Sequence, residues 1–304
     1  MTQLLFIDWS FDPVLFSLGG VEIRYYGLMW VLTIFIGAKL FENFVKREGL
    51  PESVSESIFW YGTLGTILGA RLGHCLFYDP AYYLSQPLTI ITGFRDGGLA
   101  SHGAAIGLLI GLWLFARRNH LRYIWGLDRI MIAVGIGGAL VRLGNLFNSE
   151  IFGGPTTLPW GFRFLLSREW QQSCAPAACH PTQIYEALCY LATFIILAVM
   201  YYKYDVGRKR PGMLFGVGLI GVFLTRFIIE YVKLEQGGAD TGLFLKMGQL
   251  LSIPFILLGV WMIVRATRRG EQPAEGLILS EPARPESKAE KMAARRAKRL
   301  NQEK

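Results

Sequence analysis

Seven stretches of the chain, at about 21–41, 57–78, 98–116, 128–148, 183–203, 212–232 and 246–266, are apolar over a length that matches the core of a lipid bilayer. A helix rising about 1.5 Å per residue needs about 20 mostly apolar residues to cross about 30 Å of hydrocarbon. Lipid offers no partner to an open backbone, so such stretches are constrained to be helices. Composition agrees: of 304 residues, 52% are hydrophobic and 18% charged, too apolar for a soluble domain of this size. The expected fold class is all-α, a polytopic membrane bundle of seven transmembrane helices with periplasmic arm and head segments.

Basic residues are retained on the cytoplasmic side of a membrane. They mark the connection after the first span (Lys46, Arg47), after the third (Arg117, Arg118, Arg122) and after the fifth (Lys203, Arg208, Lys209, Arg210), and the residues after the seventh (Arg265, Arg268, Arg269). These all fall on one side. The N-terminus is therefore expected outside and the C-terminus in the cytoplasm. Two outer connections are longer than turns, 79–97 and 149–182, and their Tyr82, Tyr83, Trp160 and Trp170 suit a membrane–water interface.

Two units are expected, a membrane domain over 1–270 and a basic cytoplasmic tail over 271–304. Residues 284–304 carry eight Lys or Arg against three Glu, which accounts for much of the net charge of +8. A solvated tail explains this composition, and no nucleic-acid partner is expected. No cleavable leader is read, because Asp8 and Asp12 stand where a basic segment would be. Cys75 and Cys189 lie in apolar spans as packing residues. Cys174 and Cys179 lie in the long outer connection, where an oxidising compartment would let them pair. His180 beside them adds a third metal-ligand type, but three in a short loop do not make a metal site, and neither metal nor cofactor is expected. Glycines at spacings of three and four, as in Gly62, Gly65 and Gly69, let helix backbones approach closely in lipid.

Charged groups inside a bilayer cost several kcal/mol unless they pair or line a cavity, so those present point to function. Arg71 and His74 share the second span, and His102 opens the third. Arg142, Asn145 and Asn148 recur every third residue at the end of the fourth, just before Glu150, while Arg226 and Glu230 are four apart in the sixth. Spacings of three and four place side chains on one helix face. Arg226 and Glu230 read equally as a self-neutralising pair, His102 as a hydrogen-bonded structural residue, and Tyr25 and Tyr26 as an aromatic belt. Two separated arginines nevertheless suit a phosphate, because a guanidinium donates two parallel hydrogen bonds and stays charged. In a membrane the most available phosphate belongs to a lipid headgroup. Asp96 is read as a cap or orienting group for His102.

Taken together, Tyr26-Gly27-Leu28-Met29, Asp96-Gly97-Gly98 with His102-Gly103, Arg142-Leu143-Gly144-Asn145 with Asn148 and Glu150-Ile151-Phe152-Gly153, His180-Pro181-Thr182-Gln183-Ile184-Tyr185-Glu186, and Arg226 through Glu230 resemble the prolipoprotein diacylglyceryl transferases. The motifs run in family order across roughly 10–265. The resemblance implies a seven-span enzyme of the bacterial inner membrane. Its partners would be phosphatidylglycerol, the lipobox cysteine of a prolipoprotein signal peptide, and membrane lipids. It implies Arg142 and Arg226 on the headgroup, Tyr26, Asn145, Glu150, Gly153 and Glu230 around the polar site, and His102 in catalysis. The chain departs from the family pattern at Val222, where a tyrosine is common, and at Ser149, where glycine is common. A transporter or flippase, and a non-catalytic lipid scaffold, are the alternatives that the intramembrane charges also allow.

Overall fold

The computed structural model describes residues 6–93, 98, 100–234 and 245–271. Asp96 and residues 272–304 of the expected tail lie outside the described residues. Every one of the seven apolar stretches is a helix: α1 (Tyr25–Arg47), α2 (Ser53–Tyr78), α5 (Ser101–Arg118), α6 (Tyr123–Phe147), α8 (Thr182–Tyr202), α10 (Met213–Ile229) and α11 (Met247–Arg269). Short helices α3 (Pro80–Ser85), α4 (Thr89–Thr92), α7 (Arg168–Ser173) and α9 (Val206–Lys209) sit in the connections. By length and composition, α1, α6, α8 and α11 suffice to cross a membrane, and α10 is a shorter apolar helix. Glycine, histidine and arginine dilute the hydropathy of α2 and α5.

Gly49, at φ +69, turns the chain after α1, and Gly212, at φ +93, occupies the N-cap of α10. α6 is the hub, packed on α1, α8 and α10, while α10 also packs on α11. α2 and α5 pair chiefly with each other. Their glycines face: a Cβ on Gly65 would lie 2.5 Å from the Gly107 carbonyl oxygen, and one on Gly73 would lie 2.6 Å from Gly103 Cα. No side chain fits between those backbones. The largest buried cluster, with Phe44, Phe115, Trp125, Ile132, Leu197 and Leu214, fills one end of the bundle. Trp30, Trp60, Phe77, Ile196, Leu257 and Trp261 are exposed on the helices, as an envelope meeting lipid requires.

The all-α expectation needs one correction. β1 (Ile7–Trp9) pairs in parallel with β4 (Phe162–Phe164), and β2 (Val14–Leu18) pairs antiparallel with β3 (Val21–Arg24). These strands are too short for an alternating pattern to stand out from the apolar background. Asp8 and Arg163 form an ion pair at 2.5 Å across β1 and β4. A second buried cluster, Leu146, Phe152, Phe162, Phe164, Trp170, Cys174 and Cys179, fastens this head to the end of α6. Cys174 and Cys179 are free buried thiols, whereas Cys189 faces outward rather than into the packing.

Candidate active site

The last turn of α6 and the residues after it carry most of the polar groups. Arg142 Nη1 donates to Asn145 Oδ1 at 3.0 Å, and Asn145 Nδ2 donates to Glu150 Oε1 at 2.8 Å. Asn148 Nδ2 reaches the same Glu150 oxygen at 3.3 Å. Arg, Asn and Asn at spacings of three thus converge, as the helix period requires. Glu150 comes back over the helix end because Ser149 and Ile151 adopt the left-handed region, at φ 53 and 59. Gln183 Nε2, on α8, donates to the Glu150 carbonyl at 2.7 Å and holds the turn.

Arg142 also pairs through Nε with Glu186 Oε2 at 2.7 Å, and Lys233 Nζ meets Glu186 Oε1 at 2.9 Å. Glu186 is fully buried, while 18% of the Arg142 side chain remains exposed. One carboxylate therefore bridges two cations, and part of the Arg142 side chain stays exposed. Burial lowers the Lys233 pKa, and the facing Glu186 carboxylate opposes that shift. Tyr190, buried on α8, lies within electrostatic reach of Arg142, Arg226 and Glu186, so both arginines lie near one side chain.

Arg226 differs from Arg142. Among the described residues it has no hydrogen bond or ion pair, and its Nε is buried without a partner. Its expected neighbour Glu230 instead sits at the N-terminus of α11: a Cβ on Gly248 would come within 2.6 Å of both carboxylate oxygens. The self-neutralising pair read from the four-residue spacing is therefore not formed. A carboxylate is favoured at a helix N-terminus, where backbone N–H groups are unsatisfied.

Tyr26, in the first turn of α1, packs on Gly144, where a Cβ would meet its ring at 2.9 Å. This close approach accounts for the glycine between Leu143 and Asn145. Gly153 bridges Lys233 in an antiparallel contact, and a Cβ there would fall 2.5 Å from the Val232 carbonyl oxygen. It positions the segment that carries Lys233. His102 lies exposed in the first turn of α5 and makes no hydrogen bond among the described residues. Arg71 and His74 belong elsewhere. Arg71 donates to the carbonyls of Ile90 and Thr89 at 2.8 and 2.9 Å, fastening the outer connection, and the His74 ring stacks on Tyr78. His180, its pKa lowered by burial, faces the Tyr185 hydroxyl at 3.3 Å. The Cys179 thiol is pushed up by burial and by its hydrogen bond with Cys174, so it is a poor nucleophile.

The site thus unites four cationic side chains, Arg142, Arg226, Lys233 and Lys246, with the carboxylates of Glu150, Glu186 and Glu230. Lys246 Nζ donates to the Lys233 carbonyl at 2.9 Å. Glu186, Gln183, Tyr190, Lys233 and Lys246 were not among the expected site residues. Glu186 carried a usable signal, a carboxylate within an apolar span; Lys233 read only as a loop charge.

A family model described as prolipoprotein diacylglyceryl transferase matches residues 13–265. The chain belongs to the prolipoprotein diacylglyceryl transferase family. It is 50% identical over 276 residues to a phosphatidylglycerol–prolipoprotein diacylglyceryl transferase of Porphyromonas gingivalis, covering 88% of this chain and 97% of that protein. Relatives of the same name from Chloroherpeton thalassium, 40% identical over 88% of this chain and 96% of theirs, and Tolumonas auensis, 37% identical over 86% and 97%, cover it similarly. Family membership and helix character together make this a membrane transferase.

Proposed function

We propose that the chain transfers the diacylglyceryl group of phosphatidylglycerol to the thiol of a prolipoprotein lipobox cysteine, forming a thioether and releasing glycerol phosphate. The substrates follow from the names its relatives carry. The observation that supports the site is Arg226: a guanidinium Nε buried with no partner among the described residues, near the same Tyr190 as a part-exposed Arg142. A guanidinium N–H buried without a partner is costly, and an incoming phosphate offsets that cost.

In this reading Arg142 and Arg226 hold the phosphodiester. The sulfur attacks the glycerol carbon bearing phosphate, the carbon–oxygen bond breaks, and its electron pair goes to the departing phosphate oxygen. Fixed guanidinium groups in a low-dielectric chamber stabilise that charge as it develops. Asn145 and Glu150 orient Arg142 from one side and Glu186 from the other, while Glu230 stays on the α11 N-terminus. Tyr26 and Gly153 shape the chamber. A free thiol has a pKa near 8.5, so a proton acceptor raises the thiolate fraction. His102, exposed at the start of α5, is that acceptor.

The same reading has all seven long helices crossing the bacterial inner membrane, with the N-terminus periplasmic and the C-terminus cytoplasmic. The transferase occupies 1–270, and 271–304 is a basic cytoplasmic tail dispensable for chemistry. The transporter or flippase reading finds no support in the relatives. The test is thioether formation on a lipobox peptide in phosphatidylglycerol vesicles, followed by mass spectrometry. Arg142→Ala should abolish it, and Arg142→Lys should restore little because the paired donors are lost. Retained lipidation by the inserted alanine variant would remove the clamp.

A further inference from the structure

At the opposite end of α6 from Arg142, a cavity of about 350 Å³ opens between the α5–α6 connection, the start of α10 and the end of α11. Its lining includes Arg122, Arg265 and Arg269 around Ile124, Pro211 and Ala266, and among the described residues none that lines it is acidic. Glu271, the nearest carboxylate in sequence, is exposed and does not line it. Arg122 is the N-cap residue of α6, and the first turn of that helix has neither an acidic residue nor a side-chain cap. The cavity therefore collects three guanidinium groups beside a helix end that favours anions.

The surroundings distinguish a lipid from a soluble anion. Arg265 lies over the Trp261 ring at 5.6 Å, and Trp261, Val264 and Leu257 are exposed along the same helix. One edge of the basic cavity thus continues into an apolar surface made for acyl chains, with a tryptophan at the level where such rings meet headgroups. Twenty residues of α6 separate Arg122 from Arg142, about 30 Å along the axis, or one hydrocarbon thickness.

We propose that this cavity binds the phosphate headgroup of an anionic phospholipid in the leaflet opposite the Arg142 site, which is the cytoplasmic leaflet in the orientation proposed above. The cavity is separate from the transfer chamber, and its occupant is held rather than consumed. Basic pockets between spanning helices at the cytoplasmic face suit such headgroups.

Native mass spectrometry of the full-length enzyme, titrated with cardiolipin and with phosphatidylcholine, tests this; cardiolipin is used because phosphatidylglycerol also enters the transfer chamber. Each arginine should contribute about fivefold, so Arg122→Gln, Arg265→Gln and Arg269→Gln together should weaken the first cardiolipin by about 100-fold and leave phosphatidylcholine unchanged. Arg265→Gln alone should weaken it about fivefold, a milder variant that does not depend on the triple one folding. Arg226→Ala should keep this binding. A loss under about tenfold in the triple variant, or an equal loss in an Arg117→Gln, Arg118→Gln control, overturns the site. Displacement of cardiolipin by millimolar inorganic phosphate overturns the lipid assignment.

Discussion

Two arginine networks stand on the same helix, and they are built to opposite ends. Near the start of α6, Arg129 is fully buried and bonded on every side. Its Nε and Nη2 meet Glu48 Oε1 at 3.1 and 2.8 Å, and its Nη1 donates to the carbonyls of Trp125 and Gly207 at 3.3 and 3.2 Å. Glu48 also accepts from Trp125 Nε1 at 2.7 Å and from the Tyr201 hydroxyl at 2.5 Å. The adjacent Asp128 accepts the Gly212 and Phe215 amides at 2.7 and 2.8 Å and so caps α10. Near the end of α6, Arg142 stays partly exposed, and Arg226 on α10 has no bonded partner among the described residues. A guanidinium with every donor used is a fastening. One with donors to spare inside a chamber is a receptor.

The sharpest challenge to that contrast is Glu48→Ala. It strands a buried arginine, a tryptophan N–H and a tyrosine hydroxyl together, and should cost about 3–5 kcal/mol in equilibrium unfolding in mixed micelles. Arg226→Ala should do the reverse, leaving the unfolding midpoint near wild type while lowering the transfer rate by about 10²–10³-fold. If Arg226→Ala unfolds the protein and Glu48→Ala merely slows it, the two networks have been misassigned.

Smaller effects concern the neighbours of Arg142. Burial lowers the Lys233 pKa below its ordinary 10.5, so the folded protein loses that proton before the unfolded chain does. Folding then gains from rising pH between the lowered pKa and 10.5, yet the bridge to Glu186 is lost over the same interval. The transfer rate of Lys233→Arg relative to wild type should therefore climb as pH approaches 10.5, and a flat ratio would detach Lys233 from the site. Least of all, Ser149→Gly should add about 0.5–1 kcal/mol to stability, because glycine takes the left-handed φ without strain and the buried serine hydroxyl has no partner among the described residues.

Which arginines are fastened and which are open was only half legible in the sequence. Arg142, Asn145 and Asn148 announced themselves by a period of three at the end of an apolar run, and their convergence on Glu150 follows from the helix. The pairing of Arg226 with Glu230 also looked local, but the Glu230 carboxylate belongs to α11, reached through Gly248. Glu48 stands among Lys46, Arg47 and Glu52 and reads as a solvated turn. Its burial depends on α6 and on Tyr201, 153 residues away. Glu186 and Lys233 meet across 47 residues, a distance over which no periodicity speaks. Long-range saturation of a charge is a tertiary property, so sequence located the charges more readily than their partners.

The seam of facing glycines in α2 and α5 has a mechanical consequence. Two helices in backbone contact, and only lightly joined to α1 and α6, would swing as one rigid plate.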